Sequence, residues 1–295
     1  MSAHHSLLGI ARDWLHAGTP AMEVLVFDAK GSVPRAAGTR MLVCAGQVAG
    51  TIGGGHLELK AIAHARERLA AAANAVDAVD GSREHERQPD DRHYPLGPAL
   101  GQCCGGALTL RTQPLTPLGL AGWPVEPNLF NLQLYGAGHV GRAIVQVLER
   151  LHCRVQWIDE RETEFPAAAS ATHIERLCVE PVEAEVAAAA AGSFFLVLTH
   201  SHDLDLRITE AILRRADFAY LGLIGSATKL ARFRHRFEQR GIDAASLARI
   251  TCPIGVPGIS GKEPEVIALA VVAQLLQVAA RAGSAASAVG PLAGS

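Results

Sequence analysis

The chain has 295 residues, long enough for two domains that each bury a core, and 49% of them are hydrophobic but only 5% aromatic, so the cores must be built from Ala, Leu, Val and Ile. A formal charge of −2, from 27 Lys and Arg against 29 Asp and Glu, excludes a polycation that grips nucleic acid or acidic membrane by charge alone. The N-terminus has no basic stretch followed by an apolar one, and no uninterrupted apolar run approaches a membrane-spanning length, so a cytoplasmic protein with reduced cysteines is expected.

Ser6 can cap a first helix whose apolar face is Leu7, Leu8, Ile10, Ala11, Trp14 and Leu15, with Gly18 past its end. Residues 23–28 read as a core strand and 31–38 as a turn-rich loop. Residues 39–44 and 47–51 form a hairpin around Ala45-Gly46. Gly53-Gly54-Gly55-His56 then opens a helical pattern from Leu57 to about Ala73. Such a triplet lets backbone amides face an anion, although a tight strand-to-helix turn is the plainer reading of it. Residues 77–93 are polar and charged and read as a solvated loop, in which His85 and His93 are isolated. Gly101-Gln102-Cys103-Cys104-Gly105-Gly106 precedes a short strand at 107–111. Four prolines at 114, 117, 124 and 127 mark a linker over 112–128.

Residues 132–135 read as a buried strand running into Gly136-Ala137-Gly138-His139-Val140-Gly141, a G-x-G-x-x-G turn. A helical pattern over 143–151 and a second strand over 153–158 follow, ending at Asp159. In a Rossmann unit the glycines admit a pyrophosphate, and an acid about 20 residues on takes a ribose. Further strands at 173–179, 194–198 and 220–224 alternate with Ala- and Leu-rich helical stretches, so the sheet should be mostly parallel. The expected fold class is α/β: a C-terminal Rossmann-like doubly wound parallel sheet over 129–282 with a smaller N-terminal α/β domain over 1–111. Residues 283–295 read as a disordered tail.

Ligands of open α/β sheets bind outside the carboxyl ends of the strands, where Asp159 with Arg161, His200, His202, Asp205 and Gly225-Ser226 all fall. Asp159 could equally cap the next helix, and His200-Ser201-His202-Asp203 lacks the further histidines of a binuclear metal hydrolase. Lys229, Arg232, Arg234, Arg236 and Arg240 read as the solvated face of a helix whose core edge is Phe233 and Phe237. Cys103-Cys104 is the sharper feature. Adjacent cysteines strain a mutual disulfide, and two soft thiols on a glycine-flanked loop suit soft metals and sulfur chemistry.

Six stretches occur in the order found in the XdhC/CoxI family: Gly53-Gly54-Gly55-His56-Leu57-Glu58, Gly101-Gln102-Cys103-Cys104-Gly105-Gly106, Tyr135-Gly136-Ala137-Gly138-His139-Val140, residues 159–166, Thr199-His200-Ser201-His202-Asp203 and Cys252-Pro253-Ile254-Gly255. The chain resembles that family over both domains. The resemblance implies an accessory protein and not a dehydrogenase: one that binds the molybdenum cofactor, a pterin dithiolene with a phosphate and a molybdenum centre, protects its sulfurated form and delivers it to apo xanthine dehydrogenase. Implied partners are the molybdenum-binding subunit of that enzyme, a cysteine desulfurase and proteins of cofactor biosynthesis; a homo-oligomer, as a dimer, is also expected. On this reading Cys103 and Cys104 contact molybdenum or hold the terminal sulfur, and Gln102, Gly105 and Gly53 to Gly55 shape the pocket. Gly136, Gly138, His139, Gly141, Asp159, Arg161, His200 and His202 would bind the cofactor or a separate nucleotide. Competing readings are an NAD(P)-dependent oxidoreductase built on the Rossmann unit and a partner-docking scaffold with no ligand.

Overall fold

The structure, a computed structural model, describes residues 7–74, 88–96, 105–124, 127–168 and 170–288. Gln102, Cys103, Cys104 and residues 289–295 of the expected tail lie outside the described residues. The chain divides into two compact units at Glu126.

In the first unit, strands β1 (Ala21–Lys30), β2 (Arg40–Cys44), β3 (Val48–Gly50), β4 (Asp90–Pro95) and β5 (Ala107–Pro114) pair antiparallel in the order β3-β2-β1-β5-β4. Helix α1 (Leu7–His16) precedes them. Helix α2 (Gly55–Asn74) lays Leu57, Ala61 and Ala65 on Met22, Val24, Val26, Met41 and Val43. The period-2 alternation of β5, with Leu108, Leu110 and Thr112 buried, is that of a sheet packed on one face. Glu23, only 2% exposed in the central strand, is held by Arg40 Nε and Gln113 Nε2, each donating at 2.8 Å.

Two expectations need correction here. The solvated loop read over 77–93 contains the start of β4. Its charges suit an edge strand, where Asp91 takes a bidentate 2.7 Å pair from Arg111 across the ladder. The linker read over 112–128 carries the end of β5 and a short helix α3 (Pro117–Ala121), capped by Thr116 Oγ1 accepting from Gly119 N. Pro114 ends a strand and Pro117 opens a helix, positions where a missing N–H is harmless, so these prolines punctuate secondary structure.

The second unit is a six-stranded parallel sheet: β6 (Asn131–Tyr135), β7 (Arg154–Asp159), β8 (Ile174–Cys178), β9 (Phe194–Val197), β10 (Tyr220–Leu223) and β11 (Ile250–Thr251), in the order β11-β10-β9-β6-β7-β8. The chain starts in the middle, works outward to β8, then returns to β9 and works to the other edge. This is the doubly wound Rossmann order with its switch point between β6 and β9. Helices α4 (His139–Leu148) and α8 (Pro264–Ala288) cover one face, with Ile144, Leu148, Val271 and Leu275 in one core cluster. Helices α5 (His202–Arg215), α6 (Ala227–Gln239) and α7 (Ala244–Ala248) cover the other, where Ile208, Ile212, Phe233 and Phe237 are buried. Among the described residues the crossovers after β7 and β8 hold 3-10 turns, Glu162–Glu164 and Val182–Ala188, in place of the helices expected there.

At the C-terminus, α8 extends past residue 282, so the segment read as tail begins as helix. Its stretch Pro264–Ala282 has a mean hydropathy of 1.6 and would span a bilayer by length and composition alone, but Glu265, Gln274, Gln277 and Arg281 interrupt it, so the apolar run is not continuous over that length. Alanine and valine raise the hydropathy, and Ala268, Val271, Val272 and Leu275 spend it on the core.

Candidate functional site

The turn from β6 into α4 shows what each fingerprint glycine does. Gly136 sits at φ +122°, and a Cβ there would lie 2.3 Å from the Leu198 carbonyl oxygen. A Cβ on Gly141 would lie 2.1 Å from the Gly136 carbonyl oxygen, which also accepts a 3.0 Å hydrogen bond from Trp157 Nε1. These two glycines serve the packing of helix on strand. Gly138 does not: a Cβ there would meet nothing within 4 Å. It caps α4 with no side-chain hydrogen bond, which leaves the helix N-terminus open beside an exposed His139.

Asp159, at the end of β7, was expected to serve a ribose, and both of its oxygens are already committed. Oδ2 accepts from Ala137 N at 2.7 Å and Arg161 Nη2 at 3.0 Å; Oδ1 accepts from Arg161 N at 2.9 Å and Arg161 Nε at 3.0 Å. The carboxylate, 4% exposed, thus ties the glycine turn to the following loop. Burial pushes its pKa up, but the hydrogen bonds from Arg161 and from the Ala137 and Arg161 amides outweigh it and hold the group below the usual carboxylate range. A depressed folded-state pKa stabilises above the unfolded value of about 4, and that stability is lost as pH falls through the folded value. Asp159→Asn should therefore cost about 1.5–3 kcal/mol at pH 7. In denaturation curves the gap to the parent should close in acid below about pH 4.

Beyond the switch point the loops after β9 and β10 line an open cavity of about 290 Å³ whose walls are Thr199, His200, His202, Asp205, Ile224, Gly225, Ser226 and Lys229. Its floor is an ion pair: Lys229 Nζ donates to Asp205 Oδ2 at 2.5 Å and to the Ile224 carbonyl at 2.8 Å. Asp205 Oδ1 accepts from Thr199 N at 2.9 Å and Thr199 Oγ1 at 2.7 Å. Gly225 lets this happen, because a Cβ there would lie 2.5 Å from Lys229 Cδ. Two helices begin at the cavity, α5 capped by Ser201 and α6 by Ser226. His200 is exposed and stands 3.6 Å from Glu160, next to Asp159, so the loops after β7 and β9 touch. Lys229 departs from the solvated face expected of this helix: its side chain is 11% exposed, whereas Arg232, Arg234 and Arg236 face solvent.

In the first unit the glycine triplet is a nest, with Gly53, Gly54 and Gly55 all in the left-handed region at φ +125°, +78° and +67°. The anion it holds is the chain's own. Glu58 Oε2 accepts from Thr51 Oγ1 at 2.5 Å, Ile52 N at 3.0 Å and Gly54 N at 3.1 Å. Gly53 N donates to Thr51 Oγ1 at 3.1 Å, so the Gly53 and Gly54 amides, expected to face an external anion, are taken within the turn that opens α2. Gly53 packs on Pro34, while Gly106 sits so close to Lys30 and Ser32 that a Cβ would lie 2.4 Å and 2.5 Å from their carbonyl oxygens. The segment 30–34 thus touches both the nest and the glycines that follow Cys104, with Gly105 exposed. His139, Asp159, Arg161, His200 and His202 gather with the Gly136–Gly141 turn at the carboxyl edge of the second sheet. Among the described residues no group of three or more His, Cys, Asp or Glu side chains could hold a metal ion.

Residues 132–275 match a family profile described as the XdhC Rossmann domain, and residues 14–79 match one described as the XdhC and CoxI family. YqeB of Escherichia coli (strain K12), an uncharacterized protein, is 29% identical over 267 residues, which cover 86% of this chain. The chain spans 42% of that relative's length. A crystal structure from Bacillus halodurans, described as a xanthine dehydrogenase, superposes with a TM-score of 0.69 at 18% identity, covering 94% of this chain and 96% of that one. At that identity the likeness speaks for the fold.

Proposed function

We propose, from the premise that this chain belongs to the XdhC and CoxI family, that it serves the maturation of xanthine dehydrogenase by carrying the molybdenum cofactor to the apo-enzyme. Family membership over both units supports the maturation role. The observation that separates it from a dinucleotide-dependent oxidoreductase is Asp159, whose two oxygens are spent on Ala137 and Arg161 where a dinucleotide's ribose would need them.

The cofactor is cargo here, and the residues fit its anionic end. Gly138 leaves open space above an uncapped helix start, which suits a phosphate that must approach backbone amides closely. Cys103 and Cys104, with Gln102 and Gly105 beside them in sequence, are soft donors of the kind a metal–sulfur centre takes. When bound, the cofactor supplies the metal–sulfur centre that the recipient enzyme uses. The chain's own task is to hold the phosphate, shield the sulfur from water and release both to the molybdenum-binding subunit. A cysteine desulfurase is the class of partner that would load the sulfur.

Two titrations under anaerobic conditions test this. Molybdopterin should bind saturably, while NADH and NADPH should show neither tight binding nor turnover with candidate substrates. Tight NADH binding with turnover and no pterin binding would overturn the proposal.

A further inference from the structure

We infer that the cavity at the carboxyl ends of β9 and β10 is a binding site for a phosphate monoester, centred on Lys229. The hydrogen-bonding inventory of its walls carries the inference. Both Asp205 oxygens are taken, one by Thr199 and one by Lys229, and the Ile224 carbonyl is taken by Lys229 as well. Few side-chain acceptors are left to greet a ligand. Donors remain: an ammonium has three protons, and two of those of Lys229 are placed. The Ser226 hydroxyl accepts from Lys229 N and keeps its own proton to give. His200 and His202 each add a ring N–H, with the Glu160 carboxylate 3.6 Å from His200 on the side of the loop after β7, and the first turns of α5 and α6, of 14 and 13 residues, both open on the cavity.

A pocket rich in donors and poor in acceptors selects a ligand with many acceptor oxygens. Donors arriving from two helices and a buried ammonium suit a tetrahedral oxyanion better than a planar carboxylate. The volume of about 290 Å³ leaves room for the organic part of an ester. Asp205 does not defeat the site. It fixes Lys229 in one charged position, and a buried ion pair adds too little net stability to be needed for folding alone.

The test uses the full chain without any cofactor, so this site and the cargo reading can fail separately. Glycerol 3-phosphate, inorganic phosphate and acetate are titrated by calorimetry, with ³¹P line broadening as a second readout. Glycerol 3-phosphate should bind saturably and acetate at least about tenfold more weakly. Inorganic phosphate should compete with the ester. Lys229→Met combined with Asp205→Asn removes both charges while Asn still accepts from Thr199, and it should weaken the ester at least about tenfold. His200→Gln with His202→Gln alters only exposed side chains, leaves the pair in place and should weaken it severalfold. No saturable binding of the ester up to about 10 mM, equal binding of acetate, or undiminished binding in both variants would overturn the assignment.

Discussion

Lys229→Met is expected to destabilise the second unit by about 3–5 kcal/mol, because it strands Asp205 as an unpaired charge that is 1% exposed. The lysine and the aspartate are 24 residues apart and meet only because α5 and α6 start from adjacent strands. Adding Asp205→Asn should restore most of the loss. The second charge then disappears, and the amide oxygen still takes the Thr199 N–H and hydroxyl that Asp205 Oδ1 takes now. Denaturant unfolding of parent, both single variants and the double variant closes the cycle, and a strong favourable coupling is the expected outcome. Additive losses would mean that Lys229 matters for its packing rather than its charge.

The three fingerprint glycines should separate into two classes. Gly141→Ala puts a methyl 2.1 Å from the Gly136 oxygen, and Gly136→Ala puts one 2.3 Å from the Leu198 oxygen at φ +122°. Backbone cannot swing aside as a side chain can. Overpacking of about 1–3 kcal/mol, joined at Gly136 by a further penalty of about 1–3 kcal/mol for the left-handed conformation, should leave either variant poorly folded. Gly138→Ala meets nothing and sits at φ −67°, so its stability should change by less than about 1 kcal/mol. Its effect should fall on ligand affinity. A Gly138→Ala protein that folds and binds normally would show that nothing approaches α4 there.

Much of this fold is legible before any coordinates. Buried runs such as Phe194–Val197 and the Phe233–Phe237 spacing announce strand and helix because one residue type dominates each face. The β4 strand is hidden because an edge strand needs no apolar face, and Asp90-Asp91-Arg92-His93 looks like solvated loop. The prolines at 114 and 117 mislead in the same way, since a strand end and a helix start tolerate them as readily as a linker does. The site is less legible than the fold. Asp159 is easy to find and hard to interpret, because its partner Arg161 sits two residues away and nothing in the spacing says that the pair closes on itself. Glu58 stands at a helix start behind three glycines, a capping position, yet the glycines draw the eye to an outside anion. Lys229 could have been singled out by Gly225-Ser226, which ends a strand immediately before it. Among five basic residues on one helix, only the topology shows which one turns inward.

The cargo reading rests its metal–sulfur end on Cys103 and Cys104, and cofactor transfer tests that claim most directly. The full chain, loaded anaerobically with sulfurated molybdenum cofactor, is mixed with apo xanthine dehydrogenase, and the recovered xanthine oxidation is measured against Cys103→Ala/Cys104→Ala loaded in the same way. The parent should activate the apo-enzyme, and the double variant should lose both sulfurated cofactor and activation while keeping the parent's melting curve. Equal cofactor retention and equal activation by the two proteins would contradict the account, and would make the cysteine pair packing and nothing more.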